Sequence, residues 1–327
     1  MVTPFAWLAR RYTLGHRALR WGTTAALVVS IFIVFTGGVV RVTGSGLGCP
    51  TWPACDTGSL TTTPALGIHG LIEFANRSLT GILILAVGWA IVAARLQKPR
   101  NRTLTRLAWS QFWLVVANSI AGGISVLTGL NPYVVAMHFI LAMGLLTATT
   151  LTWHRARQSS PAPAGTTPPT GTAAPNVSVI LSRVLVAATG VLILVGTLVT
   201  GSGPHSGDSA EVPRMGFVWA QVTLVHGLLG TVVIVIAVAL FLSLRGRPQH
   251  SLARRRVIVF LIVTIAQAAL GVVQANTAIP AALVAVHVLG SAFVWVGVLR
   301  VLLDVNPGLF RNVRLQVHSA VEVPTLR

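Results

Sequence analysis

The sequence predicts an all-α integral membrane protein, with eight transmembrane helices forming two pseudo-symmetric four-helix bundles and both termini in the cytoplasm. Three observations lead there. The 327-residue chain is 54% hydrophobic and 9% charged, with a mean hydropathy of +0.77, whereas soluble domains give about a quarter of their residues to charge. Apolar runs near the roughly 20 residues that cross a bilayer as helix recur along the chain. Basic residues crowd alternate connections, the pattern that keeps positive loops inside.

The spans fall near 22–40, 70–94, 105–127, 133–152, 178–200, 217–244, 256–275 and 281–303. The first follows Arg10, Arg11, Arg17 and Arg20, and no convincing small-residue cleavage site follows it. It reads as a retained helix rather than a signal peptide. Arg95, Lys98, Arg100, Arg102 and Arg106 separate the second and third spans, and Arg155, Arg157 and Arg183 flank the connection from fourth to fifth. Arg245, Arg247, Arg254, Arg255 and Arg256 separate the sixth and seventh, and Arg311 and Arg314 follow the eighth. The opposite connections hold only Arg41 and Arg214 among basic residues. The net charge of +18 therefore orients the chain and meets the anionic lipid of the bilayer. It does not indicate a nucleic-acid partner.

Residues 158–177, QSSPAPAGTTPPTGTAAPNV, have the Pro, Ser, Thr, Gly and Ala composition of a flexible cytoplasmic linker. They divide the chain into an N-terminal bundle, 1–157, and a C-terminal bundle, 178–305, with a cytoplasmic tail over 306–327. The halves echo each other. VTGSG at 42–46 returns at 199–203, and Gly122 precedes His138 by the same 16 residues that separate Gly271 from His287. Four spans restore the starting side, so a duplicated unit gives parallel halves.

Nine histidines divide by depth. His16, His154, His250 and His318 lie beside basic residues and read as solvated side chains, and His205 in an outer loop reads similarly. His69, His138, His226 and His287 each lie near the outer end of an even-numbered span. A lone membrane histidine is commonly a helix-to-helix hydrogen bond, the default also for Gln111, Gln221, Gln267, Gln274, Asn118 and Asn276. Four in one layer suggest a function, because polar groups in hydrocarbon are costly. Paired imidazoles on facing helices can hold haem axially. No Cys-x-x-Cys-His motif for covalent haem occurs. The only cysteines, Cys49 and Cys55, occupy the outer loop GSGLGCPTWPACDTG. A disulfide is expected in that oxidising compartment, free thiols being the alternative. Trp52 between them suits the membrane interface.

The string GGVVRVTGSGLGCPTWPAC, with IEFANR and His138, His226 and His287 in later spans, resembles the haem A synthase family (CtaA/COX15-like) of bacterial and mitochondrial membranes. The likeness covers nearly the whole chain apart from linker and tails. It implies an enzyme that oxidises the C8 methyl group of haem O to a formyl group by successive hydroxylations. It also implies haem b held by His226 and His287 in the second half, and substrate haem O in the first half with His138 as an axial ligand. Glu73 matches the family's required glutamate, and Cys49 and Cys55 its loop cysteines. Haem O synthase is the implied upstream partner, while the electron donor, the oxygen source and any homo-oligomer stay open.

One position departs from the family's E-x-x-H-R pattern. This chain reads Glu73, Phe74, Ala75, Asn76, Arg77, so asparagine replaces a second histidine ligand. The repeat agrees: Asn76 precedes His226 by 150 residues and His138 precedes His287 by 149. His69 is the candidate substitute ligand, though it lies two turns nearer the surface, about 10 Å along the helix. A substrate iron held by His138 alone is the alternative. Glu73 is the catalytic candidate for proton transfer or for stabilising a cation at the methyl carbon, against a plain ion pair with Arg77. Arg41 and Arg77 are candidate propionate contacts, or interface anchors. Rival functions are an electron-transfer cytochrome b, a transporter and a non-catalytic haem-delivery or assembly protein. The parallel repeats and the lack of paired broken helices argue against transport.

Overall fold

The computed structural model describes residues 4–158, 176–208 and 211–309. These residues form helices α1 (Pro4–Arg11), α2 (His16–Val42), α3 (Gly67–Arg95), α4 (Arg102–Leu127), α5 (Pro132–Gln158), α6 (Asn176–Ser202), α7 (Trp219–Ser243), α8 (Ser251–Asn276) and α9 (Ala281–Val305). Helices α2 to α9 match the eight expected spans, each long and apolar enough to cross a membrane. The protein is a multi-pass membrane protein. Nearly all of the expected linker and most of the C-terminal tail, with His318, lie outside the described residues.

Several helices outrun their apolar cores. Helix α2 continues to His16 and Val42, because arginines can run their methylenes along a helix end while the guanidinium stays at the interface. Capping explains other boundaries. The Asn101 side chain accepts the Leu104 N–H at 3.0 Å to open α4. Pro132 opens α5, and Pro280 immediately precedes α9, positions where a missing N–H costs no helical bond. Helix α1 was not expected. Its eight residues end in Arg10 and Arg11 and are too few for the apolar signal of a span.

Consecutive helices pack as neighbours, and the fourth of each set returns to the first: α2–α3–α4–α5 form one group, α6–α7–α8–α9 the other. Leu19, Leu83, Val87, Leu104 and Leu145 are among the core residues of the first. Leu185, Val233, Leu240, Phe260 and Val298 serve the second. A third cluster (Leu27, Val34, Met143, Leu146, Ile193 and Ala292) fills the seam where α2 and α5 meet α6 and α9. Trp295 crosses that seam, its indole N–H donating to the Met143 carbonyl at 3.1 Å and the Thr147 hydroxyl at 2.9 Å. The outer surface is apolar, with Leu85 74% exposed and Ile262 62% exposed, the reverse of a water-facing helix.

Two histidines correct the expectation of solvated side chains. His154 and His250 are buried, and His154 Nε2 lies 2.8 Å from the Gln158 side-chain nitrogen. Around His154, Arg256 and Arg300 converge on Asp304 at 3.1 and 3.9 Å. The guanidiniums of Arg157 and Arg300 both lie over the Trp153 ring. Flanking charge in the sequence did not mean exposure, because helices of both groups close over this end.

Candidate functional site

Helices α7 and α9 bring His226 and His287 face to face, their ring centres 6.4 Å apart and their planes at 61°. Each ring rests against a glycine of a neighbouring helix. A Cβ on Gly196 of α6 would come within 3.1 Å of His226 Cε1, tighter than ordinary contact, while one on Gly271 of α8 would stand 3.6 Å from His287 Cε1. His138 of α5 repeats the arrangement against Gly122 of α4, at 3.3 Å. Glycine thus lets an imidazole lie against a helix backbone inside the bundle.

All three rings bury Nδ1 without a hydrogen-bond partner of good geometry. The carbonyls of Asn118 and Leu192 interact with His138 and His226 outside that geometry. Each carbonyl lies four residues before the glycine that faces the ring. A neutral imidazole that keeps its proton on Nδ1 presents Nε2 to a metal. Two nitrogen ligands each roughly 2 Å from one iron put their ring centres about 6 Å apart. The His226–His287 pair therefore fits an axially held haem. Among the described residues no cluster of three or more His, Cys, Asp or Glu forms a metal cage, and two-histidine haem ligation needs none.

The first four spans place their polar groups differently. His69, on the first turn of α3, lies 3.0 Å through Nδ1 from the Ser45 hydroxyl, which in turn lies 2.8 Å from that of Thr43. The Thr36 hydroxyl donates to the Asn76 amide oxygen at 2.7 Å. Among the described residues no ring contact joins His69 to His138, so the structure does not bring these two into a facing pair like His226 and His287.

Glu73 and Arg77 organise the cysteine loop. Cys49 and Cys55 form a disulfide, and both are buried. Glu73, only 4% exposed, accepts the Cys49 N–H at 2.7 Å through Oε2. Its Oε1 accepts from Arg77 Nε at 3.0 Å and Nη2 at 2.5 Å. Arg77 further donates to the carbonyls of Cys49 at 3.0 Å, Thr51 at 2.9 Å and Ala54 at 3.0 Å. A guanidinium has five N–H groups, and these contacts use them all. Arg77 is thus a loop clamp with no donor left for a propionate.

Close backbone contact completes the loop's seat. A Cβ on Gly48 would come within 2.3 Å of the His69 carbonyl oxygen, and one on Gly123 of α4 within 2.5 Å of the Trp52 ring. Trp52 therefore lies against α4 while remaining 40% exposed. Beyond the disulfide, the Thr63 hydroxyl and then the Thr57 N–H bind Asp56, holding its carboxyl below the usual carboxylate range.

Arg41 faces the other group. It donates to the Thr200 carbonyl at 2.8 Å and the His205 carbonyl at 3.0 Å. Gly46 N–H donates to the Gly207 carbonyl at 2.7 Å, and Leu47 N–H to Asp208 at 3.1 Å. The sequence singled out Glu73, Arg77, the cysteines and, within the repeated VTGSG, Ser45, but not Thr36, Gly196 or Asp208. Gly196, three residues before the repeated VTGSG, was the one with a readable cue.

The family profile described as COX15-CtaA, cytochrome oxidase assembly protein, matches residues 20–299. A heme A synthase of Lysinibacillus sphaericus (strain C3-41) is 31% identical over 132 residues, 39% of this chain and 41% of the relative. A heme A synthase of Listeria welshimeri is 31% identical over 120 residues, 36% and 39% of the two chains. One from Staphylococcus saprophyticus is 28% identical over 126 residues, 38% and 41%. The matched stretches thus span about two fifths of the length of these curated relatives.

Proposed function

The chain belongs to the COX15-CtaA family of cytochrome oxidase assembly proteins, and from that membership we propose that it is a haem A synthase. It oxidises the C8 methyl group of haem O to a formyl group by successive hydroxylations and loss of water. The match across residues 20–299 carries this conclusion, and the facing histidines support its haem chemistry.

Haem b is the proposed resident cofactor, and His226 and His287 are the residues that would hold its iron. When bound, it supplies one-electron redox chemistry. Haem O is the substrate, taken by the first four spans with His138 on its iron. His69 sits on the first turn of α3, about 10 Å along the helix from Asn76, and Asn76 itself receives the Thr36 hydroxyl. We therefore assign the substrate iron one histidine, leaving the opposite face open. Open coordination suits oxidation better than two strong axial ligands.

Glu73 holds or moves a proton near the substrate edge. Its carboxylate lies against the Cys49 N–H, so its position is tied to the loop. Arg77 positions both. Arg41, which spends two of its N–H groups on carbonyls of the other half, is the arginine proposed to reach a propionate. The site lies toward the outer face, both termini are cytoplasmic, and haem O synthase is the proposed supplier of substrate.

Expression in cells that make haem O, followed by chromatography of the extracted haems, tests this. Appearance of the hydroxymethyl or formyl product is expected. Retained haem b with unchanged haem O would instead indicate an electron-transfer cytochrome.

A further inference from the structure

At the end of the bundle opposite the disulfide, a cavity of about 420 Å³ opens between the α3–α4 connection and α4. Its lining includes Arg95, Arg100, Arg102, Arg106, Trp109 and Trp113, and no acidic residue. Positions 102, 106, 109 and 113 follow the helical repeat and share one face of α4. The arginines occupy its first turns. The tryptophans come one to two turns deeper, so the face grades from cationic to aromatic over about 16 Å.

This gradient matches one kind of ligand. Desolvation first, and then the nearby Arg95 and Arg102, disfavour the charge on Arg100, and an anion among these guanidiniums offsets the repulsion. Guanidinium groups pair with phosphate oxygens through forked hydrogen bonds. Trp113 is 63% exposed on a membrane-spanning helix, where an indole meets the glycerol and upper acyl region of a lipid rather than water. A soluble anion uses the arginines and leaves the aromatic half of the cavity idle.

We propose that this cavity is a binding site for the headgroup of one anionic glycerophospholipid. The phosphodiester sits among Arg100, Arg102 and Arg106, and the glycerol and first acyl carbons lie along Trp109 and Trp113. The site is separate from the haem-binding residues and does not depend on the proposed catalysis.

Native mass spectrometry of the full chain in neutral detergent tests it, with phosphatidylglycerol, phosphatidylcholine and inorganic phosphate as probes. A saturable single adduct with phosphatidylglycerol is expected, without one for phosphatidylcholine. The double variant Arg102→Gln/Arg106→Gln should weaken it about tenfold, while Arg254→Gln/Arg255→Gln, which removes equal charge elsewhere, should leave it unchanged. Equal loss in both variants would overturn the site in favour of diffuse surface charge. Displacement of the lipid by inorganic phosphate would overturn it in favour of a soluble anion. If the first variant does not fold, quenching of tryptophan fluorescence by brominated phosphatidylglycerol decides. Trp113→Phe should remove a saturable share of that quenching, and an undiminished response would sink the proposal.

Discussion

The two groups of four helices share the same order of packed neighbours but place their polar residues differently. In the second, His226 and His287 confront each other at 6.4 Å, seated on Gly196 and Gly271. In the first, His138 has the same kind of glycine seat, and Asn76 is bound to Thr36. Among the described residues, only the first carries a buried acid near the loop end, Glu73, together with the disulfide loop that it and Arg77 hold. A symmetric pair of strong ligands suits a group that stays. A single ligand with an acid nearby suits a group that must react and leave.

Removing either partner of the symmetric pair tests that contrast most severely. His226→Ala or His287→Ala should abolish the two-histidine haem spectrum of the purified protein, a loss of more than about tenfold in bound haem. His138→Ala should leave that spectrum in place. An equal loss in all three would show that the halves do not differ. Glu73→Gln comes next: haem A formation should fall by about 100-fold or more, with the resident haem retained, as read from extracted haems and the reduced spectrum.

Arg77→Lys keeps the charge but cannot supply five donors in one plane. Loosening of the clamp should cost about 3 kcal/mol locally, seen as faster proteolysis of the loop at 49–55. Asn76→His should give the first half a second strong ligand. A new low-spin signal with reduced product formation is expected, and unaltered activity alongside that signal would remove the argument for an open iron. The smallest effect separates two glycines. Gly196→Ala should lower thermal stability or haem retention by about 1–2 kcal/mol, whereas Gly271→Ala, with ordinary clearance, should change little.

The eight spans were legible because apolar length is a one-dimensional property. Helix α1 was not, since eight residues ending in arginine carry no such signal. The histidine pair was legible because His226 and His287 both fall near the outer ends of even-numbered spans and match the family's second-half histidines. Arg77's role was not. Sequence showed only its four-residue spacing from Glu73, while three of its acceptors are backbone carbonyls at Cys49, Thr51 and Ala54, which carry no identity. Thr36 was hidden for a related reason, because it meets Asn76 across 40 residues. Burial of His154 and His250 depended on helix ends packing together, which local charge does not report.

The seam between the halves has a further consequence. Trp295 bonds across it, six apolar side chains fill it, and Arg41, Gly46 and Leu47 join the two sets of loops at the disulfide end. All of these contacts come from residues outside the peptide that connects α5 to α6. The same protein could therefore be made as two polypeptides from two genes, divided between residues 158 and 176, and assembled by recognition alone.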